Sequence, residues 1–189
     1  MNVEAVIAYV GIGSNLGDRA GNLLLAVRGL LEASMCLKRL SAIYETEPVG
    51  VKETQLPYLN MIAEVEVKNI TPEQMLARML RVEYLLGRRR ESPKAARTVD
   101  LDLILFGKNI YQTDFLSVPH PQMQQRRFVL VPLNELAPDL RHPVLQKTIA
   151  ELLAETPDKS NVRRWNPIDA NCASSSTSQF PIAKEPVKI

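Results

Sequence analysis

The chain has 189 residues, enough for one compact domain with a tail, and its 46% hydrophobic and 23% charged residues are typical of a globular protein. Residues 1–158 hold 18 basic and 19 acidic side chains, and this near neutrality argues against a nucleic-acid-binding surface. No run of about 18 apolar residues is present and the N-terminus lacks the features of a signal peptide, so we expect a cytoplasmic protein without membrane contact.

The N-terminal half alternates apolar strand-like and helix-like periods. The predicted elements are a strand at 5–12, a helix after Asp18, strands at 37–46 and 58–68, and a helix that begins at Thr71. Thr71-Pro72-Glu73-Gln74 has the spacing of a capping box with proline at the first helical position. Two adjacent strands between two helices favour a sheet with a hairpin-like pair over a Rossmann domain.

The C-terminal half supplies a strand, further helices and a tail. We predict a strand at 99–106, an extended stretch at 109–112, and helices at 125–136 and 149–155. The order β, α, β, β, α, β, α is that of a ferredoxin-like α+β sandwich, a mostly antiparallel sheet with helices on one face. The serine-rich end has no sustained period, so the expected organisation is a domain at 1–158 and a poorly ordered tail at 159–189.

An Asp-x-Asp motif opens the strand predicted at 99–106. Strand side chains alternate between faces, so Asp100 and Asp102 point to the same side with their Cα atoms about 7 Å apart. Aligned like charges repel unless a cation lies between them, and Mg²⁺ takes one or two carboxylates together with substrate phosphates. The pair therefore favours a magnesium site over two solvent-facing aspartates.

A basic segment lies directly upstream of the aspartates. It contains Arg88, Arg89, Arg90, Lys94 and Arg97. Arginine forks match phosphate oxygens, so the segment indicates a site for a small phosphorylated ligand rather than a solvated charge run. Further along, His120 lies between two prolines near Arg126. An isolated histidine is usually structural, but beside Arg126 it is able to donate a hydrogen bond to phosphate, as a neutral or a cationic side chain.

Two weaker motifs complete the set. Residues 11–18 read GIGSNLGD, which fits a phosphate-binding turn or, as the favoured interpretation, a tight turn between a strand and a helix. Tyr58 and Asn60, with the TEPVG segment at 46–50, supply groups able to read the edge of a flat heterocycle, although such residues are common at the start of a strand.

In combination, these motifs resemble the 6-hydroxymethyl-7,8-dihydropterin pyrophosphokinase family of folate biosynthesis. The resemblance covers roughly residues 5–155 and lies in YVGIGSNLGDR, YETEPVG, QLPYLN, GRRR…ARTVDLDLILFG and VPHPQMQQRRFVLVPLNELAP, in this order. It implies the ferredoxin-like fold and the Mg²⁺-dependent transfer of the pyrophosphoryl group of ATP to the pterin hydroxymethyl oxygen, with release of AMP.

The resemblance also implies roles for individual residues. The catalytic set would be Arg88, Arg97, Asp100 and Asp102. The two aspartates would hold a pair of Mg²⁺ ions. ATP would be bound by Arg88, Arg97, His120 and Arg126. The pterin would lie against Thr46, Val49, Tyr58, Asn60 and Phe128. Of these, Asn60 would read the pterin edge and Phe128 would stack on the ring, whereas Glu83 matches an acidic position of the family without an assigned role.

The basic loop departs from the family pattern. Residues 92–96 read SPKAA, one residue shorter than in the best-known members and without the Trp-Gly-Pro that many of them have. Two alternatives therefore stay open: a catalytically weak relative that binds pterin or nucleotide, and a Mg²⁺-dependent phosphohydrolase with Asp100 as nucleophile. The implied partners are ATP and the pterin, with no nucleic acid and no membrane, and contact with other folate-pathway enzymes is left open.

Overall fold

The secondary structure is described for residues 5–47, 55–88 and 95–167 of a computed structural model. The strands are β1 (Ala5–Ser14), β2 (Cys36–Leu40), β3 (Tyr44–Thr46), β4 (Tyr58–Lys68), β5 (Asp100–Phe106), β6 (Tyr111–Gln112), β7 (Ser117–Val118) and β8 (Val162–Arg164). The helices are α1 (Arg19–Glu32), α2 (Pro72–Leu85), α3 (Arg127–Leu136) and α4 (Ile149–Glu155), with a 3₁₀ turn at Met123–Gln125.

A six-stranded antiparallel sheet forms the centre of the fold. Its strand order is β5-β1-β4-β3-β8, and β2 also pairs with β4 because the predicted strand at 37–46 is broken between β2 and β3. A small hairpin of β6 and β7 lies outside this sheet. The expected α+β class with a mostly antiparallel sheet is confirmed. Within the described ranges, no helix has the length and apolarity needed to span a bilayer.

The helix starts follow the local signals. The Asp18 carboxylate accepts a hydrogen bond from the Gly21 N–H at 3.0 Å, which caps α1. Thr71 and Gln74 form the reciprocal capping box of α2, with distances of 3.0 and 3.3 Å. Both caps were predicted from sequence and are confirmed, because capping depends on residues only a few positions apart.

Helices cover both faces of the sheet, so the expectation of helices on one face is wrong. Side chains such as Val10 and Ile12 pack against α1 and α2, whereas Tyr9 packs into a second core beneath α3 and α4. In β4 the apparent polar face includes Glu64, which is only 8% exposed and accepts a hydrogen bond from Arg39 Nε at 3.2 Å. A buried acid is tolerated when it has a partner. The alternation of polar and apolar residues along β4 therefore does not mark a solvent-exposed face.

The segment after α4 is part of the fold, in contrast to the expected tail from residue 159. β8 pairs antiparallel with β3, and the Trp165 N–H donates to the Ile43 carbonyl at 2.8 Å. The partly buried Trp165 ring packs against the core. Backbone pairing and this aromatic contact order a polar segment that has no periodic pattern. We call residues 156–165 the C-terminal strap; residues 168–189 lie outside the described ranges.

Candidate active site

A cavity of about 660 Å³ lies on the sheet face that α3 covers. Parts of β1, β4 and β5 form its floor, and its walls come from the end of β3, the first turn of α3 and the C-terminal strap. Eight sequence-predicted site residues line it: Thr46, Tyr58, Asn60, Arg97, Asp100, Asp102, Arg126 and Phe128. Arg88 contacts Asp100 at its border, His120 lies outside the lining, and Val49 lies outside the described residues.

Two glycines of β1 form part of the cavity floor. β1 continues through Gly11 and Gly13 to Ser14, so these glycines are strand residues and the turn to α1 starts only after them. Gly13 is flanked by Asn60 of β4 and Asp100 of β5. A Cβ atom at Gly13 would lie 3.1 Å from Asn60 Oδ1. Glycine therefore leaves room for polar side chains of the neighbouring strands, a role that the interpretation of a tight turn missed.

The carboxylates of Asp100 and Asp102 face the cavity from β5. Asp100 Oδ1 lies 2.7 Å from an Arg88 guanidinium nitrogen, and its other oxygen accepts a hydrogen bond from Arg97. Burial and the charge of Asp100 raise the pKa of Asp102 to about 6. The two carboxylates share one face of β5, and a cation between them would offset their like charges.

The acidic set is small. Within the described residues, no group of three or more His, Cys, Asp or Glu side chains is arranged to hold a metal ion. Two carboxylates nevertheless fit Mg²⁺, which keeps several water ligands and takes others from substrate phosphates. By contrast, a structural zinc or calcium site would require more protein ligands than Asp100 and Asp102 supply.

Glu83 anchors Arg88 beside the carboxylates. It lies on the buried face of α2, is 2% exposed, and pairs with the Arg88 guanidinium. Its Oε1 also accepts the Leu101 N–H at 2.8 Å, which ties α2 to the strand that carries Asp100. Burial raises the pKa of Glu83. A buried acid on an apolar helix face is the sequence signal for this anchor, since such a residue requires a partner.

Asn15 connects two segments that border the cavity. Its Oδ1 accepts the Arg97 N–H at 2.7 Å, and its own N–H donates to the Arg97 carbonyl at 3.1 Å. Its side-chain amide donates to Gln55 Oε1 at 3.0 Å. Asn15 is 1% exposed, so these bonds are shielded from water. The glycine-rich motif therefore holds the end of the basic segment through the Asn15 amide. We call this end, residues 95–97, the hinge.

A second group of lining residues combines an amide, a hydroxyl and an aromatic ring. Asn60 and Thr46 are both buried, and the Asn60 amide donates to Thr46 Oγ1 at 2.8 Å. Phe128 lies in the first turn of α3, with the Arg126 guanidinium 5.7 Å from its ring centroid. Burial raises the pKa of the Tyr58 phenol, which stays protonated as a donor. These residues are suited to bind a flat ring with polar edges.

His120 lies between β5 and α3. Its N–H donates to the Ile104 carbonyl at 2.9 Å, and its Nδ1 accepts the Gln122 N–H at 3.2 Å. Burial, followed by the charge of Arg126, lowers the pKa of His120 to about 4. The side chain is therefore a neutral imidazole at neutral pH, with Nε2–H as its donor.

His120 and Asp102 have opposite effects on stability in the same acidic range. The pKa of His120 is lowered from 6.5 to about 4, so the unfolded chain binds more protons there and acid destabilises the fold. The pKa of Asp102 is raised from 3.8 to about 6, so the folded protein binds more protons and acid stabilises it. Each contribution changes with pH only between the folded and unfolded pKa of its own group and is constant below that range.

Variants of the metal-free protein should show the contributions of His120 and Asp102 to the pH dependence of stability one at a time. As the pH falls from 6.5 to 4, the unfolding free energy of H120Q should rise by about 2 kcal/mol relative to that of wild type. Over the same range, the unfolding free energy of D102N should fall by a similar amount relative to wild type. Urea unfolding at both pH values measures this difference. Parallel curves for wild type and both variants would contradict the assigned pKa shifts.

Comparison with known proteins places the chain in a family. Residues 9–138 match the family model described as 7,8-dihydro-6-hydroxymethylpterin-pyrophosphokinase (HPPK). A 2-amino-4-hydroxy-6-hydroxymethyldihydropteridine pyrophosphokinase of Bacillus subtilis is 39% identical over 160 residues, which are 84% of this chain and 90% of that protein. The folic acid synthesis protein fol1 of Schizosaccharomyces pombe is 34% identical over 165 residues, 86% of this chain but 22% of that protein.

A solved structure supports the fold independently. The crystal structure of Plasmodium falciparum HPPK-DHPS matches with a TM-score of 0.64 at 17% identity, over 82% of this chain and 46% of that chain. The family model spans more than half of the chain, and the cavity holds the acidic, basic and aromatic residues that the sequence singled out. This chain belongs to the 7,8-dihydro-6-hydroxymethylpterin-pyrophosphokinase family.

Proposed function

We propose that this protein transfers the pyrophosphoryl group of ATP to the hydroxymethyl oxygen of 6-hydroxymethyl-7,8-dihydropterin. As a member of the HPPK family, the chain is a pyrophosphokinase of folate synthesis. A new bond joins the pterin oxygen to the β-phosphorus, the bond from that phosphorus to the α-phosphate oxygen breaks, and AMP leaves. The observation that carries this assignment is one cavity lined by a carboxylate pair and arginines together with Asn60 and Phe128.

Asp100 and Asp102 are proposed to hold the Mg²⁺ pair. When bound, Mg²⁺ supplies charge neutralisation and alignment of the ATP phosphates. The side chains support this role because they share one face of β5 and because burial, followed by the charge of Asp100, raises the pKa of Asp102. The number of ions is part of the proposal.

Arg88 and Arg97 are proposed to bind phosphate when ATP is present. Both contact Asp100 in this structure, so its two oxygens have arginine partners. With Mg²⁺ held by Asp100, the two guanidinium groups would exchange this carboxylate for phosphate oxygens, which they match in geometry. Glu83 and the Asn15 contacts keep both arginines at the cavity during this exchange. Arg126 and neutral His120 add further donors.

The pterin is proposed to occupy the end of the cavity near α3. Asn60 and Thr46 would read its amide-like edge, Tyr58 and Val49 would contribute to the wall, and Phe128 would stack on its ring. No side chain of this set is placed as a general base. The hydroxyl proton therefore passes to a phosphate oxygen late in a loose transition state, and positioning supplies most of the catalysis.

A steady-state assay with ATP, Mg²⁺ and hydroxymethyldihydropterin tests the assignment. We expect AMP to form only when the pterin is present. Pterin binding without AMP would indicate a catalytically weak relative, and phosphate release without pterin would indicate a phosphohydrolase.

Cellular context extends the proposal. The fol1 relative is much longer than this chain, and the solved Plasmodium neighbour is named HPPK-DHPS, so relatives combine this unit with additional protein. We include contact with other folate-pathway enzymes and a cytoplasmic location in the proposal. Fractionation of cells that express the tagged protein measures its location. Co-purification from the same cells measures its contacts with other enzymes.

Gly13→Ala is expected to weaken pterin binding. The added methyl group would approach Asn60 Oδ1 to 3.1 Å, so the amide that reads the pterin edge must shift. We expect a rise of about fivefold in the pterin dissociation constant, with a change of less than about 1 kcal/mol in unfolding free energy. Wild-type pterin affinity in Gly13→Ala would contradict this role.

A further inference from the structure

Helix α3 is capped by a residue far away in the sequence. Its own N-cap, Arg126, makes no side-chain capping bond. Instead, Asp158 Oδ2 accepts the Arg127 N–H at 2.7 Å. The first N–H groups of a helix have no partner within the helix, and a carboxylate there also interacts favourably with the helix dipole. Asp158 thus performs for α3 what a local cap performs for α1, α2 and α4.

The strap holds this carboxylate in a defined place. Asp158 Oδ1 accepts the Ser160 N–H at 2.8 Å, and the Asp158 N–H donates to Thr156 Oγ1 at 3.4 Å. Thr156 is 2% exposed and lies where α4 ends, so α4 fixes one end of the strap. Pro157 and Asp158 themselves line the cavity. The cap is therefore part of the cavity wall.

The same strap continues to the opposite wall. Val162 pairs with Thr46 in the β3–β8 register, and the Arg163 guanidinium contacts Glu45, with Nε 3.1 Å from Oε2. A few residues after Asp158, the strap therefore pairs through its backbone with β3, the strand that carries Thr46. One short segment connects the α3 wall of the cavity, with Phe128, to the β3 wall, with Thr46.

We propose that Asp158 is a positioning residue for substrate binding, which rests on the proposed function of the cavity. It holds the first turn of α3 so that Arg126 and Phe128 face Thr46 and Asn60 across the cavity. Asp100 and Asp102 lie on β5, and Arg97 lies in the hinge just before it. The strap bonds instead to α3 and β3. Loss of Asp158 therefore affects binding of the substrates more than the transfer step.

Steady-state kinetics and direct pterin titration of the full chain test this proposal. For Asp158→Ala we expect the KM for the pterin and its dissociation constant to rise about tenfold, with kcat within about threefold of wild type. Asp158→Asn keeps an acceptor oxygen, so pterin affinity should return to within about threefold of wild type. Unchanged pterin affinity in Asp158→Ala would overturn the proposal.

A matched control separates positioning from general stability. Glu151 accepts the Thr148 N–H at 2.7 Å and caps α4, away from the cavity lining. Glu151→Ala removes a similar cap, so an equal rise of pterin KM in this variant would overturn the proposal. If Asp158→Ala does not fold, Asp158→Glu displaces the carboxylate by one methylene and must still raise the pterin KM. A wild-type protein that binds pterin without forming AMP would contradict the proposed function but leave the titration test intact.

Discussion

Replacing Asp102 with alanine is expected to lower kcat by about three orders of magnitude or more, while the pterin dissociation constant changes by less than about threefold. The same result is expected for Asp100→Ala. Asp100 and Asp102 are not proposed to contact the pterin, whose ring is assigned to Asn60 and Phe128, although all four residues line one cavity. Both carboxylates are instead proposed to hold Mg²⁺ on the phosphates, where charge develops during transfer.

The measurement combines turnover, binding and magnesium dependence. AMP formation gives kcat, pterin titration gives affinity, and a magnesium titration should show weaker metal binding in D102N, which keeps the shape of the side chain. Asp114→Ala is a suitable control because Asp114 is an exposed residue of the β6–β7 hairpin region. Equal losses of turnover and pterin affinity in the Asp102 variants would argue against a metal role and for a general disturbance of the cavity.

Removing the Arg97 side chain is expected to lower kcat by about two to three orders of magnitude. Arg97 lines the cavity and contacts Asp100, so its guanidinium lies where the phosphates of ATP are proposed to bind. Asn15 holds Arg97 through backbone atoms, which alanine retains. The hinge should therefore keep its position in Arg97→Ala, and the loss should reflect the missing charge and fork.

Arg97→Lys separates these two contributions. Lysine restores the positive charge without the planar fork, so we expect only partial recovery of kcat. Arg28→Ala is the matched control, because Arg28 forms an exposed ion pair with Glu32 on α1. Wild-type turnover in Arg97→Ala would show that this guanidinium does not contact the transferred group.

Local patterns account for the features that the sequence predicted well. The Asp18 cap, the Thr71–Gln74 capping box and the start of β5 at Asp100 each depend on residues within a few positions of one another. Strand alternation placed Asp100 and Asp102 on one face, and the structure places both in the cavity lining. Such short-range rules need no knowledge of the packing partners.

Long-range contacts account for what was missed. β8 has three residues, two of them arginine, and its extended state depends on pairing with β3, about 120 residues earlier. His142 precedes a proline, a pair typical of surface turns, but it is 4% exposed and its Nδ1 accepts the N–H groups of Val144 and Leu145. The second layer of helices and the Asp158 cap have the same origin, because their partners are distant in the chain.

The position of β8 also affects association between molecules. Without it, β3 would present unpaired N–H and C=O groups beside Thr46, and an open edge of this kind recruits strands from other copies. Arg163 and Arg164 place positive charge on the outermost strand instead, which disfavours such pairing. A chain shortened before Val162 should therefore self-associate, and the strap protects solubility as well as the geometry of the cavity.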